Sequence, residues 1–220
     1  MFQIIKILLL VLLPFVSAIG QISKSQLGIE GGPSLSIQRD GAYRISNNPT
    51  IGGIVGITFE YNFSKNLSVR SSLSYERKGV QYQNESPNIS GTIYSYFDYI
   101  NLPILLRVYL DKGNHLFVNG GPYFGYLINQ VDIFKGEHSS YEMWSYQHID
   151  LGMTIGIGGC FKIFGNMRMS IELRDLLGLY NISKYDNRGN PVSPEEKTLN
   201  NSTIFLIGLN YTFNNKIANK

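Results

Sequence analysis

Eight segments of the chain alternate apolar and polar residues with a period of two, and they are joined by connections of two very different lengths. Such alternation is typical of a β-strand whose two faces meet different surroundings. Each segment is about as long as a tilted strand that crosses a bilayer. The segments are 26–36, 51–62, 67–78, 96–109, 115–125, 149–161, 167–174 and 205–213. They predict an all-β protein with eight strands.

The connections between these segments alternate strictly between long and short. The short ones carry turn-forming residues at hairpin spacing and are 64–66, 111–114 and 165–166. The long ones are polar and are 37–50, 79–95, 126–147 and 180–202. Bacterial outer-membrane barrels have this asymmetry, with short periplasmic turns and longer extracellular loops. The sequence therefore predicts an antiparallel, transmembrane, up-and-down β-barrel of eight strands in the outer membrane.

The two rows of each strand predict which side faces lipid. An eight-stranded barrel has room inside only for side chains, and apolar rows from every strand would crowd it. We therefore expect the apolar rows outside and the polar rows inside, with space left by Gly52, Gly56, Gly152 and Gly156. The charged members of the inward rows are Glu30, Glu60, Arg70, Glu76, Arg107, Asp150, Glu172 and Arg174. Glu60 and Arg70 flank the 64–66 turn symmetrically, so they should form an ion pair across the hairpin.

Aromatic residues make up 13% of the chain and charged residues only 16%, which suits a sheet with an apolar outer face. Several of the aromatic residues fall at the end of the barrel that carries the short turns. They predict a girdle of rings at the level of the lipid headgroups. The predicted girdle residues are Tyr61, Phe63, Tyr109, Phe161, Phe164, Tyr211 and Phe213.

The N-terminus predicts a signal peptide over residues 1–20, ahead of a barrel domain over 21–220. Lys6 supplies a positive charge, an apolar stretch follows, and small residues at Ala18 and Gly20 favour cleavage before Gln21. The apolar stretch is too short for a spanning helix, and Pro14 interrupts it.

Four segments resemble the PorT-like outer-membrane β-barrel proteins that are common in Bacteroidetes. They are Gly28–Ser36, Ser72–Gly79, Tyr99–Arg107 and Phe117–Leu127. The resemblance implies an eight-stranded barrel and an outer-membrane location. The family's namesake takes part in a secretion system, but the resemblance does not imply one activity.

Candidate chemistry is sparse. The three histidines, His115, His138 and His148, have no carboxylates at metal-ligand spacing, and the lone Cys160 forms no internal disulfide. His148 and Asp150 share a face near the extracellular mouth, which is where a barrel hydrolase would work, but no nucleophile accompanies them. We therefore predict no catalytic, cofactor-binding or metal-binding residues. The net charge of +3, without a basic run, argues against nucleic acid as a partner.

The leading interpretation is a monomeric, non-enzymatic barrel in the outer-membrane lipid. Its extracellular loops would contact other envelope proteins, for example in an envelope or secretion assembly. One alternative is a small transporter or pore, which conductance would reveal. The other is an outer-membrane hydrolase, which substitution of His148 would test.

Overall fold

A computed structural model of the protein describes residues 25–40, 48–86, 89–134, 137–139, 146–184 and 197–213. The predicted signal peptide and the cleavage site before Gln21 lie outside these residues. None of the described residues belongs to a helix long and apolar enough to cross a membrane.

Within these residues, nine strands form one antiparallel sheet. They are β1 (Ser25–Asp40), β2 (Asn48–Asn62), β3 (Leu67–Ser86), β4 (Ile89–Tyr109), β5 (Leu116–Phe134), β6 (Glu137–Ser139), β7 (Ile149–Phe164), β8 (Met167–Gly178) and β9 (Thr198–Thr212).

Eight of these strands close into a barrel. Each long strand pairs antiparallel with the next long strand along the chain, and β1 pairs with β9 to close the sheet. The short β6 pairs only with the extracellular end of β5 among the described strands. The predicted eight-stranded up-and-down barrel is therefore confirmed, because each of the eight strands pairs with the long strands before and after it and β9 pairs back with β1.

The alternation of exposed and buried residues confirms the predicted facing. Leu73 on β3 and Ile155 on β7 are 52% and 68% exposed, and both lie on the outer surface. Their sequence neighbours Ser72 and Thr154 are buried inside the barrel. Lipid would cover the outer rows, so this exposure marks the membrane-facing surface.

Two of the predicted long connections, 79–95 and 126–147, contain long stretches of strand, so predicting them as loops is wrong there, and β1, β2 and β9 extend a few residues into the other two. Residues 79–86 and 89–95 continue the β3–β4 ladder up to the pair Ser86–Ile89. Residues 126–134 continue β5, and Glu137–Ser139 forms β6. These segments contain Gly, Ser, Asn and Tyr without a clean alternation of apolar and polar residues, because both faces of a strand above the membrane meet water.

The aromatic girdle is confirmed for part of the predicted set. Phe63, Phe161, Phe164 and Tyr211 are between 45% and 64% exposed on the outer surface near the periplasmic turns. Tyr109 was placed wrongly, because it points inward and is 2% exposed. Its hydroxyl donates a hydrogen bond of 2.7 Å to Glu60, which explains the inward orientation.

Candidate functional site

The lumen is filled by five successive layers of side chains that alternate between apolar and charged. From the periplasmic end, the first layer contains Tyr109, Phe117 and Cys160. The second is a group of six charged residues. The third is apolar and contains Ile54, Tyr123, Leu176, Ile204 and Leu206. The fourth surrounds Lys78, and the fifth contains Val80, Phe97, Tyr99 and Leu127.

The second layer is a closed ring in which three glutamates and three arginines alternate. Each residue forms an ion pair with the next, at distances between 2.6 and 3.2 Å. In order around the ring the residues are Glu30, Arg70, Glu60, Arg107, Glu172 and Arg174. All six are at least 96% buried, and their formal charges cancel. A buried charge is tolerated when it is paired in this way.

The predicted ion pair between Glu60 and Arg70 is confirmed, with 3.2 Å between Oε2 and Nη1. Neutral groups occupy remaining acceptor and donor positions of the ring. Ser68 donates to Glu60 at 2.7 Å, Asn119 donates to Glu172 at 3.2 Å, and Arg70 donates to Asn210 at 3.1 Å. The ring is therefore supported by strands on all sides of the barrel.

One glycine has a specific role in making room for the ring. A Cβ atom at Gly156 would lie 2.8 Å from Oε1 of Glu172, closer than real Cβ contacts allow. The prediction that Gly156 leaves space for a charged side chain is confirmed. At Gly52 the nearest group is instead the carbonyl of Arg77 on the neighbouring strand, so that glycine allows two backbones to approach.

The fourth layer holds one buried lysine between two carboxylates and two aromatic rings. The Nζ atom of Lys78 lies 3.1 Å from Asp150 and 4.0 Å from Glu76. It also lies 5.0 Å and 5.2 Å from the ring centres of Tyr99 and Tyr123, within cation–π range. Sequence reasoning missed Lys78, although it continues the inward row of β3 two residues beyond Glu76.

The apolar layers were not predicted, because the inward rows were identified from their polar members. Ile204 and Leu206 on β9 belong to the same inward row as Asn210 and are at most 2% exposed. They separate the charged ring from the Lys78 layer. A water-filled path through the barrel would have to cross both the ion pairs and this apolar layer.

The structure does not bring His148 and Asp150 together. His148 stacks on Tyr126 with 5.5 Å between ring centres, and its Nδ1 lies 3.2 Å from the carbonyl oxygen of Leu127. Asp150 is fully buried and accepts hydrogen bonds from Lys78, Tyr123 and Asn200. The shared face predicted for the two residues is wrong, since His148 precedes the start of β7 and does not follow its alternation.

His115 is also remote from His148 and lies in a short turn. His115 contacts Asp111 at 2.9 Å in the turn between β4 and β5. The backbone N–H of Leu116, together with the N–H groups of His115 and Gly113, lowers the pKa of Asp111 to about 2. His138 lies on β6, and its side chain is outside the described part of the structure. Nowhere in the described residues do three His, Cys, Asp or Glu side chains gather as they would around a metal ion.

A polar cluster on the outer surface was also missed by sequence reasoning. Arg77 donates two hydrogen bonds, of 2.7 and 2.9 Å, to Asp98 on the neighbouring strand, and Asn129 donates a third at 3.0 Å. The Arg77 guanidinium lies 5.8 Å from the ring centre of Tyr96. Arg77 follows Leu73 and Tyr75 in the outward row, so this cluster marks the extracellular limit of the apolar surface.

Comparison with known proteins agrees with this architecture. Residues 18–184 match the family described as outer membrane protein beta-barrel domain. No curated protein matches the sequence. The outer membrane protein AlkL, solved in lipid bilayers, is 14% identical, with 90% of this chain and 94% of AlkL covered and a TM-score of 0.51.

Two further solved structures have lower TM-scores. Ail of Yersinia pestis is 15% identical, with 86% of this chain and 99% of Ail covered and a TM-score of 0.44. The outer membrane protease OmpT of Escherichia coli is 8% identical, with 87% of this chain and 97% of OmpT covered and a TM-score of 0.48. The family match extends over most of the chain, and the closed barrel with its apolar outer surface agrees with it. The chain therefore belongs to the outer-membrane β-barrel domain family and resides in the bacterial outer membrane.

Proposed function

We propose that the protein is a non-enzymatic barrel that presents its extracellular surface to other proteins of the cell envelope. The filled lumen carries this proposal. Two charged layers and three apolar layers occupy the interior, so the barrel offers little space for transport. The separation of His148 from Asp150 favours this function over a hydrolase. The resemblance to PorT-like barrels supports a place in an envelope or secretion assembly.

The β3–β4 hairpin supplies a surface for such contacts. With a strand tilt of 35–45°, a residue adds about 2.6 Å of height, and the apolar band of a barrel is about 25 Å tall. Tyr82 follows Leu67 by fifteen residues and therefore stands about 40 Å above the periplasmic turn. The hairpin thus extends well beyond the lipid.

The backbone of this hairpin is open to an added strand. β2 pairs with β3 up to Gln81, and β5 pairs with β4 up to Ile93. Beyond these pairs, the two strands of the hairpin bond only to each other among the described residues. Exposed strand edges with unpaired N–H and C=O groups can accept an extended segment of a partner.

Shortening the hairpin tests the proposed role. We expect that replacing residues 83–92 by Asn-Gly, which joins the paired residues Tyr82 and Ile93 through a two-residue turn, leaves the barrel folded. The mobility shift of the protein on gels before and after heating checks folding. Crosslinking in native membranes should then lose the envelope proteins that the full-length chain captures. Unchanged capture by the shortened chain would contradict the proposal.

Conductance separates this function from the pore alternative. We expect no stable single-channel current from the purified protein in planar bilayers, because the ion-pair ring and the apolar layer obstruct the lumen. A barrel in which Leu206 and Ile204 are replaced by Gly serves as the comparison, since it removes two side chains of the apolar layer. Reproducible ohmic steps from the unmodified protein would establish the pore instead.

A further inference from the structure

A cavity of about 440 Å³ lies at the periplasmic mouth of the barrel. It is lined by ends of strands and by residues of the short turns. The lining residues are Gln26, Asn62, Ser64, Lys65, Asn114, Arg168 and Thr212. Of these seven described residues two are cationic, the others carry amides or hydroxyls, and none is acidic.

Cations are concentrated at this mouth despite a cost in stability. Arg168 on β8 is the cross-strand partner of the exposed Lys162 on β7, so the two side chains leave the same face of the sheet. Like charges directly opposite each other destabilise a sheet. Asp111 does not line the cavity, and its carboxylate accepts backbone N–H groups of its own turn. The charged ring deeper in the lumen is neutral overall, so it does not offset the cations either.

Arg168 is held in place with part of its donor capacity unused. Its Nη2 donates to the carbonyl oxygen of Asn114 in the turn between β4 and β5. Its Nε is buried and has no hydrogen-bond partner in the described part of the chain. The side chain is only partly buried and lines the cavity, so the exposed part of its guanidinium, not Nε, is available to bind a carboxylate there.

We propose that this cavity binds a carboxylate of an acidic peptide segment that enters from the periplasm. The volume is at the small end of the range of ligand sites and fits one or two amino-acid residues. Arg168 and Lys65 bind the carboxylate, while the amide of Gln26 lines the same cavity beside the peptide backbone. Asn114 donates from Nδ2 to the carbonyl oxygen of Lys65 at 2.7 Å, which connects it to the turn that carries Lys65. The layer of Tyr109, Phe117 and Cys160 closes the lumen above, so the segment docks without passing through. Lipid headgroups lie outside the barrel wall, which favours a peptide over a phospholipid.

The test measures binding of a fluorescent hexaglutamate peptide to the mature, folded protein in neutral lipid nanodiscs that expose both mouths. We expect saturable binding that weakens as salt is raised, because charge pairs near a protein surface are screened. Arg168→Gln should raise Kd about tenfold, since it removes a charge-assisted hydrogen-bonding group. Lys65→Gln should raise it about threefold, since this residue is exposed.

Lys112→Gln is the matched control. Lys112 is an exposed cation in a turn at the same end of the barrel but does not line the cavity. Its replacement should change Kd by less than about twofold. An equal loss in this variant would show diffuse attraction to the rim and overturn the proposed site. Displacement of the peptide by an equal concentration of inorganic phosphate would also overturn the proposed site. Binding of a hexalysine peptide with a similar Kd would overturn it too. If Arg168→Gln fails to fold, judged by gel mobility before and after heating, Lys65→Gln decides the outcome.

Discussion

Replacement of Arg70 by Met is expected to lower the free energy of unfolding by about 3–5 kcal/mol. The guanidinium bridges Glu30 and Glu60 at 3.0 and 3.2 Å, and all three residues are at least 96% buried. Met fills a similar volume but leaves the ring with one uncompensated negative charge inside the barrel. Urea titration of the protein in phosphatidylcholine vesicles, followed by tryptophan fluorescence or gel mobility, measures the loss.

A second substitution separates the effect of charge from that of packing. Glu60→Gln in the Arg70→Met background restores a neutral ring, so the double variant should be more stable than the sum of the two single effects predicts. Ser72→Ala is the control, because Ser72 is buried on the same strand and no described group pairs with its hydroxyl. It should cost less than about 1 kcal/mol. Strict additivity of the two ring substitutions would show that the ion pairs do not act as one network.

Replacement of the outward Leu73 by Arg is expected to cost about 2–4 kcal/mol in lipid. Leu73 follows the start of β3 by six residues, which places it about 16 Å above the periplasmic turn and near the middle of the apolar band. Ile155→Arg, at a lipid-facing position of β7, should have a similar cost. Urea titration in the same vesicles measures both.

Two Arg substitutions serve as controls, one near the periplasmic surface of the bilayer and one facing the lumen. Tyr211→Arg lies in the periplasmic girdle and should cost about 0–1 kcal/mol, because a long cationic side chain reaches the headgroups there. Ser72→Arg points into the filled lumen, so its cost comes from overpacking and should not change with bilayer thickness. Equal penalties for Leu73→Arg and Tyr211→Arg would refute the assigned facing.

The facing of the strands could be predicted because lipid and lumen impose opposite requirements on successive residues. Leu73 and Ser72 illustrate this, since a shift of one residue would exchange their environments. The Glu60–Arg70 pair could also be predicted, because a short turn fixes the register of its two strands. In both cases local sequence carries the whole of the information.

Other ion pairs of the ring depend on contacts across the lumen, which local sequence does not encode. The pair formed by Glu30 on β1 and Arg174 on β8 requires the stagger of the closed barrel, and so does the pair formed by Arg107 and Glu172. The height of the β3–β4 hairpin was missed because strands surrounded by water lose the period-two pattern. The periplasmic cavity was missed since its lining comes from strand ends and turns far apart in the chain.

The ring also has a consequence for how the barrel assembles. Glu30 belongs to the first strand, and it bonds to Arg70 on β3 and to Arg174 on β8, on the two sides of the β1–β9 seam. Before the seam closes, Arg174 and Glu30 are apart, and each is desolvated without its full set of partners. Completion of the last strand pair therefore also completes the ring, because it forms the ion pair between Glu30 and Arg174. The ion pair adds to the stability of the closed barrel relative to a half-open one in the membrane.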